Sequence, residues 1–182
     1  MKMRKKIPIF LISLIIIIFI ILFFINLNKK NMNQSNKIIL TSEAFKNGEF
    51  IPVKYSCMGE NINPPLLIKN IPEKSKSLAL IVDDPDAPSG DWVHWLMWNI
   101  PSDTTKIESS ILPKNVVQGL NDSRENKYDG PCPPSGTHRY FFKLYALDII
   151  LNINNNSSKN ALEKAMENHI LDKTELIGLY SK

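Results

Sequence analysis

The chain of 182 residues has only two cysteines, no internal repeat, and no acidic side chain among its first 37 positions. Each shortage excludes something. Cys57 and Cys132 allow a single pairing, so a multi-disulfide scaffold is out. They can form one disulfide outside the cytoplasm, or stand as two buried thiols behaving as small hydrophobes. Positive charge is also scarce where it would matter. Seven of the 22 basic residues precede Ile38, leaving 15 basic against 18 acidic side chains after it. The formal charge of +4 therefore turns into −3 for residues 38–182. A nucleic-acid reader carries its positive charge on the folded surface, so no nucleic-acid partner is expected.

What the N-terminus does have is a basic start and a long apolar run. Lys2, Arg4, Lys5 and Lys6 precede residues 7–27, in which Ser13 is the one polar side chain before Asn26. About 20 helical residues cover the roughly 30 Å hydrocarbon core of a bilayer. No small-x-small cleavage site and no lipid-accepting cysteine follow the run. Residues 1–27 are thus expected to be an uncleaved transmembrane signal anchor, with a cleaved signal peptide as the alternative. The basic flank places the N-terminus in the cytoplasm, making the chain a single-pass protein of the cell membrane. Residues 28–37 are almost wholly Asn, Lys, Gln and Ser, a composition that reads as a flexible linker. The extracytoplasmic domain is expected over 38–182.

Within that domain the apolar runs are short and punctuated by proline, which favours strands. Runs at 77–82, 92–100 and 139–147 are the clearest, with weaker ones at 50–55, 66–69, 116–117 and 176–180. One helix is supported by an Asn160 cap, Glu163 three residues on, and a stripe of Leu162, Ala165, Met166, His169 and Ile170. A shorter helix is expected after Ser42. The reading is a mostly antiparallel β domain with one or two peripheral helices.

Three segments place titratable groups in stiff loops. The first holds Asp83, Asp84, Pro85, Asp86, Ala87 and Pro88, where three carboxylates in four positions repel unless donors or cations answer them. Its simplest role is an Asx-type turn at a strand end. In the second, strand alternation puts Trp92, His94, Leu96 and Trp98 on one face, and Val93, Trp95 and Met97 on the other. A lone histidine among aromatics is commonly a satisfied core residue. The third runs from Gly130 through Pro131, Cys132, Pro133 and Pro134 to His138, Arg139 and Tyr140. His138 and Tyr140 share a face, and Arg139 points away as a structural partner for a buried carboxylate, Asp84 or Asp86.

Taken together, the Asp84-Pro85-Asp86-Ala87-Pro88 loop, the His94-Trp95 strand ending Asn99-Ile100-Pro101, and the segment from Gly130 to Asp148 resemble the phosphatidylethanolamine-binding family, in its bacterial and archaeal Raf-kinase-inhibitor-like branch. The flanks at 41–45, 51–61 and 175–181 agree. The resemblance covers 38–182 and implies two antiparallel β-sheets with a ligand pocket at one end. It implies that Asp84, His94 and His138 line the pocket, with Asp86, Pro88 and Tyr140 beside them and Pro133 and Pro134 in the wall. The loop at Ser89-Gly90-Asp91 is short, so partner contacts of longer-loop relatives do not carry over.

The expected function is a membrane-anchored module binding a small anionic ligand, a phosphate compound or a phospholipid head group. Affinity is expected to rise below about pH 6.5 as imidazole gains its proton. No cofactor, metal or catalytic residue is implied. Two alternatives come from other classes. One is an inhibitor or regulator of a cell-surface protease or other protein target. The other is an enzyme: a metal-dependent hydrolase using the paired Asp and His, or a Cys132 nucleophile with His138.

Overall fold

The computed structural model describes residues 16–27 and 37–182. Helix α1 covers residues 16–27, and a separate compact unit spans Lys37–Lys182. No helix among the described residues is long and apolar enough to cross a membrane. The expected transmembrane anchor is therefore corrected, and with it the single-pass, extracytoplasmic placement. The basic start and the linker at 28–36 lie outside the described residues.

The compact unit is a β-sandwich-like pair of antiparallel sheets. Strands β1 (Ile39–Ser42), β2 (Leu66–Lys69) and β5 (Lys106–Ile107) form a three-stranded sheet in the order β1-β2-β5. The larger sheet has the order β6-β4-β3-β7-β8, from β3 (Ser77–Asp84), β4 (Trp92–Pro101), β6 (Val117–Gln118), β7 (Thr137–Leu147) and β8 (Ile170–Ser181). A 3-10 turn at Val53–Tyr55 replaces the strand expected at 50–55. Ser42 ends β1 by accepting the Ala44 N–H on its side chain, and no helix starts there.

Every residue of β3 is buried, because the larger sheet is covered on both faces. Leu78, Leu80 and Val82 face the small sheet with Trp95, Met97, Phe142 and Leu144. Ala79 and Ile81 face the other way, under Leu162 and Met166 of α2 (Lys159–Met166). Each fully buried large apolar side chain contributes about 1.5–3 kcal/mol. Helix α2 begins after Ser158 instead of Asn160 and stops at Met166, since Asn168 takes a left-handed φ of 64°. His169 therefore leaves the expected stripe and pairs with Asp148.

Candidate functional site

The central position of β3 builds the site. Both neighbours run antiparallel to it, so its C-terminal end meets the N-terminal ends of β4 and β7. Asp84 closes β3 there, opposite Trp92, while His138 and Tyr140 enter on β7. The register then breaks: Val82 pairs with Trp95 but Asp83 with Val93, leaving His94 as an extra residue. Such a bulge re-aims a side chain. Here it moves His94 off the face of Leu96 and Trp98 and onto that of Tyr140, whose ring it meets edge-on at 5.1 Å. Strict alternation placed His94 on the wrong face.

The result is a cavity of about 250 Å³ lined by Asp84, Ala87, Pro88, Ser89, Trp92, His94, Asp129, Gly130, Cys132, Pro133, Pro134, His138 and Tyr140. Seven of the eight expected ligand-binding residues meet here: Asp84, Pro88, His94, Pro133, Pro134, His138 and Tyr140. Asp86 does not. It turns outward and takes a two-point contact from Arg139, with Nε to Oδ2 at 2.8 Å and the terminal nitrogen to Oδ1 at 2.7 Å. That guanidinium holds the Asp86 carboxyl down at about 2. Arg139 is thus a carboxylate partner as expected, although the pair is solvent-exposed and not buried.

The three crowded carboxylates are separated by direction. Asp83, on the α2 face and fully buried, takes ion pairs from Lys143 and Lys159, and Lys159 also reaches Asp91. Burial opposes the Lys159 charge, but those two carboxylates overcome it and hold its pKa up. Asp84 accepts the Nδ1–H of His138 on Oδ2 at 2.7 Å and the Asp86 N–H on Oδ1 at 2.8 Å. The Asx turn and the pocket carboxylate are therefore one residue.

His94 is 5% exposed, and its Nδ1 lies 2.7 Å from the carbonyl oxygen of Asp129. A carbonyl only accepts, so Nδ1 carries the proton. Burial lowers the His94 pKa from its usual 6.5, only partly offset by the Asp129 carbonyl. The Tyr140 hydroxyl lies near Asp84 and the Cys132 main chain without a well-formed hydrogen bond, and burial pushes its pKa up. It stays protonated at neutral pH.

Asp129, Trp92, Ser89 and Gly130 were not expected from the sequence. The 129–134 wall is held against the 55–61 segment at several points. Cys57 and Cys132 are bonded to each other, Cys57 N–H donates to the Pro131 carbonyl at 3.2 Å, and Gly130 N–H donates to Asn61 Oδ1 at 2.7 Å. A Cβ at Gly130 would come within 2.6 Å of both Asn61 Oδ1 and the Tyr55 carbonyl oxygen, so only glycine fits. The disulfide removes the Cys132 thiol as a nucleophile. Among the described residues no three His, Cys, Asp or Glu side chains are grouped to hold a metal ion.

Comparisons with known proteins match this fold. The family model described as phosphatidylethanolamine-binding protein matches residues 41–181. A UPF0098 protein of Methanothermobacter thermautotrophicus is 51% identical, over 79% of this chain and 98% of that one. A UPF0098 protein of Pyrococcus horikoshii is 43% identical over 99% of this chain and 91% of its own length. Among solved structures, a phosphatidylethanolamine-binding protein homolog of Chlamydia trachomatis superposes with a TM-score of 0.78 at 43% identity, covering 81% of this chain and 99% of that one. Escherichia coli YbcL gives 0.75 at 31% identity, covering 80% and 99%.

Proposed function

The chain belongs to the phosphatidylethanolamine-binding protein family, and from that premise we propose that it is a binding module for a small anionic ligand, a phosphate-bearing compound above all. One observation carries this reading. Two histidines line one small cavity, and each has Nδ1 already engaged by a protein acceptor. Each therefore has Nε2 left for a ligand, at a wall that Tyr140 completes. The Asp84 carboxylate can compensate an imidazolium on His138, which then donates through Nε2 to a ligand oxygen. At about 250 Å³ the cavity is at the small end of ligand sites, suited to a head group more than to a whole lipid.

Calorimetric titration of the full-length chain with inorganic phosphate, O-phosphoethanolamine and acetate at pH 6 tests the proposal. Saturable binding that His138→Ala abolishes supports it. Absence of binding to all three removes it.

A further inference from the structure

We propose that Asn47 is a site of covalent modification held in check by the fold: it cyclises with Gly48 and becomes an aspartyl or isoaspartyl residue once the edge of β8 releases it. Neither residue lines the cavity described above, and the inference stands apart from the anion-binding reading.

Asn47-Gly48 is the one Asn-Gly step in the chain. In such a step the glycine main-chain nitrogen, unhindered by a side chain, can attack the asparagine Cγ. Both residues are exposed in a turn, yet the local structure calls for this pair. Gly48 has a φ of 80°, a left-handed conformation that glycine adopts without a Cβ penalty. β8 lies at the edge of the large sheet, so the Ile177 N–H on its open side needs an acceptor. Asn47 supplies one, accepting that N–H on Oδ1 at 2.8 Å. Gly48 N–H donates to the Ile177 carbonyl at 2.7 Å. Ile177 thus holds both the nitrogen that would attack and the amide that would be attacked. Further on, Leu179 N–H donates to the Glu49 carbonyl at 2.9 Å and Ile51 N–H to the Leu179 carbonyl at 2.7 Å, with Ile51 buried against Gly178.

Once the latch opens, the Gly48 nitrogen gives its proton to solvent and bonds to Asn47 Cγ. The Cγ–Nδ2 bond breaks, ammonia leaves, and a cyclic imide closes. Water then opens the ring. Addition at Cγ gives an ordinary aspartate, whereas addition at the Asn47 main-chain carbonyl leaves the chain linked through Cγ as isoaspartate. An aspartate still offers Ile177 its acceptor. The isoaspartyl form carries an extra methylene in the backbone, so the Gly48–Ile177 and Ile51–Leu179 bonds no longer fit one register and Ile51 loses its seat. Sheet edges open locally at lower free energy than sheet centres. The modification therefore records the release of 47–51 from β8 and then makes it permanent.

The test is mass-spectrometric peptide mapping of the full-length chain after incubation at mildly alkaline pH, native and in urea. An isoaspartyl-specific methyltransferase assay tells the two products apart. Asn47 should convert at least about tenfold more slowly in the native chain than in urea. Ile177→Pro removes the N–H that holds Asn47 without taking a bond from β7, and should bring the native rate toward that in urea. Native protein aged until isoaspartate accumulates at position 47 should unfold at a lower urea midpoint than fresh protein. Equal rates in the native chain and in urea overturn the inference, and so does an Asn47 that stays unconverted in both. The comparison on the unaltered chain decides the matter even where Ile177→Pro fails to fold.

Discussion

His138 Nδ1 lies 2.7 Å from Asp84 Oδ2, with both side chains buried at the mouth-facing end of the large sheet. Each removes the other's unmet hydrogen-bonding need, and the pairing leaves His138 Nε2 for the cavity. His138→Ala should therefore do two things. It should weaken phosphate binding at least about tenfold and destabilise the fold by about 1–3 kcal/mol, since Asp84 keeps only the Asp86 N–H. Denaturant unfolding and calorimetry on the same preparation check both effects.

His94 makes stability depend on pH with a defined sign. Its folded pKa lies below the usual 6.5, so beneath that value the unfolded chain binds a proton that the folded chain resists. Stability should fall as pH drops through about 6.5 and go on falling until the folded pKa is reached. His94→Gln should show a shallower slope between pH 7.5 and 5 in denaturant midpoints. Equal slopes would count against a buried neutral imidazole.

Asp83 and Asp84 are adjacent in sequence but serve opposite faces of the sheet. Asp83→Asn should destabilise by on the order of 3 kcal/mol, because it takes a fully buried carboxylate from Lys143 and leaves Lys159 with the more exposed Asp91. Phosphate affinity should stay within about twofold of the original. A large loss of binding with intact stability would contradict this division.

The Cys57–Cys132 bond closes a span of 75 residues, which in the chain-entropy model contributes about 4 kcal/mol. It also tethers the wall that carries Pro133 and Pro134. Reduction, or the double change Cys57→Ala with Cys132→Ala, should lower the unfolding midpoint and weaken phosphate binding together. Unchanged affinity after reduction would show that the proline wall holds itself in place.

Much of the site was legible because β7 keeps strict alternation. His138 and Tyr140 share a face and Arg139 takes the other, as period 2 requires. The same rule failed on β4, where the bulge at His94 is a property of pairing between strands and leaves no mark in either strand alone. Asp129 was invisible for another reason: its main-chain carbonyl, not its side chain, orients His94. Asp86 looked like a pocket residue because it neighbours Asp84, yet the partner that decides its direction lies 53 positions away. The two-sheet fold followed from motif resemblance together with short proline-bounded strands. The helix was found, but its limits moved because Asn168 leaves the helical region and carries His169 away with it. The apolar N-terminal run misled most: hydropathy counted a spanning length, yet no helix among the described residues is long and apolar enough to cross a membrane.

The most direct test is a nitrogen-15 spectrum of the histidine side chains in the full-length protein, recorded with and without inorganic phosphate. The chain has three histidines, and His169, paired with Asp148 away from the cavity, serves as the internal control. The account predicts that the Nε2 signals of His94 and His138 shift saturably with phosphate while His169 stays still. Unmoved signals from His94 and His138 at high phosphate, or a shift confined to His169, would contradict it.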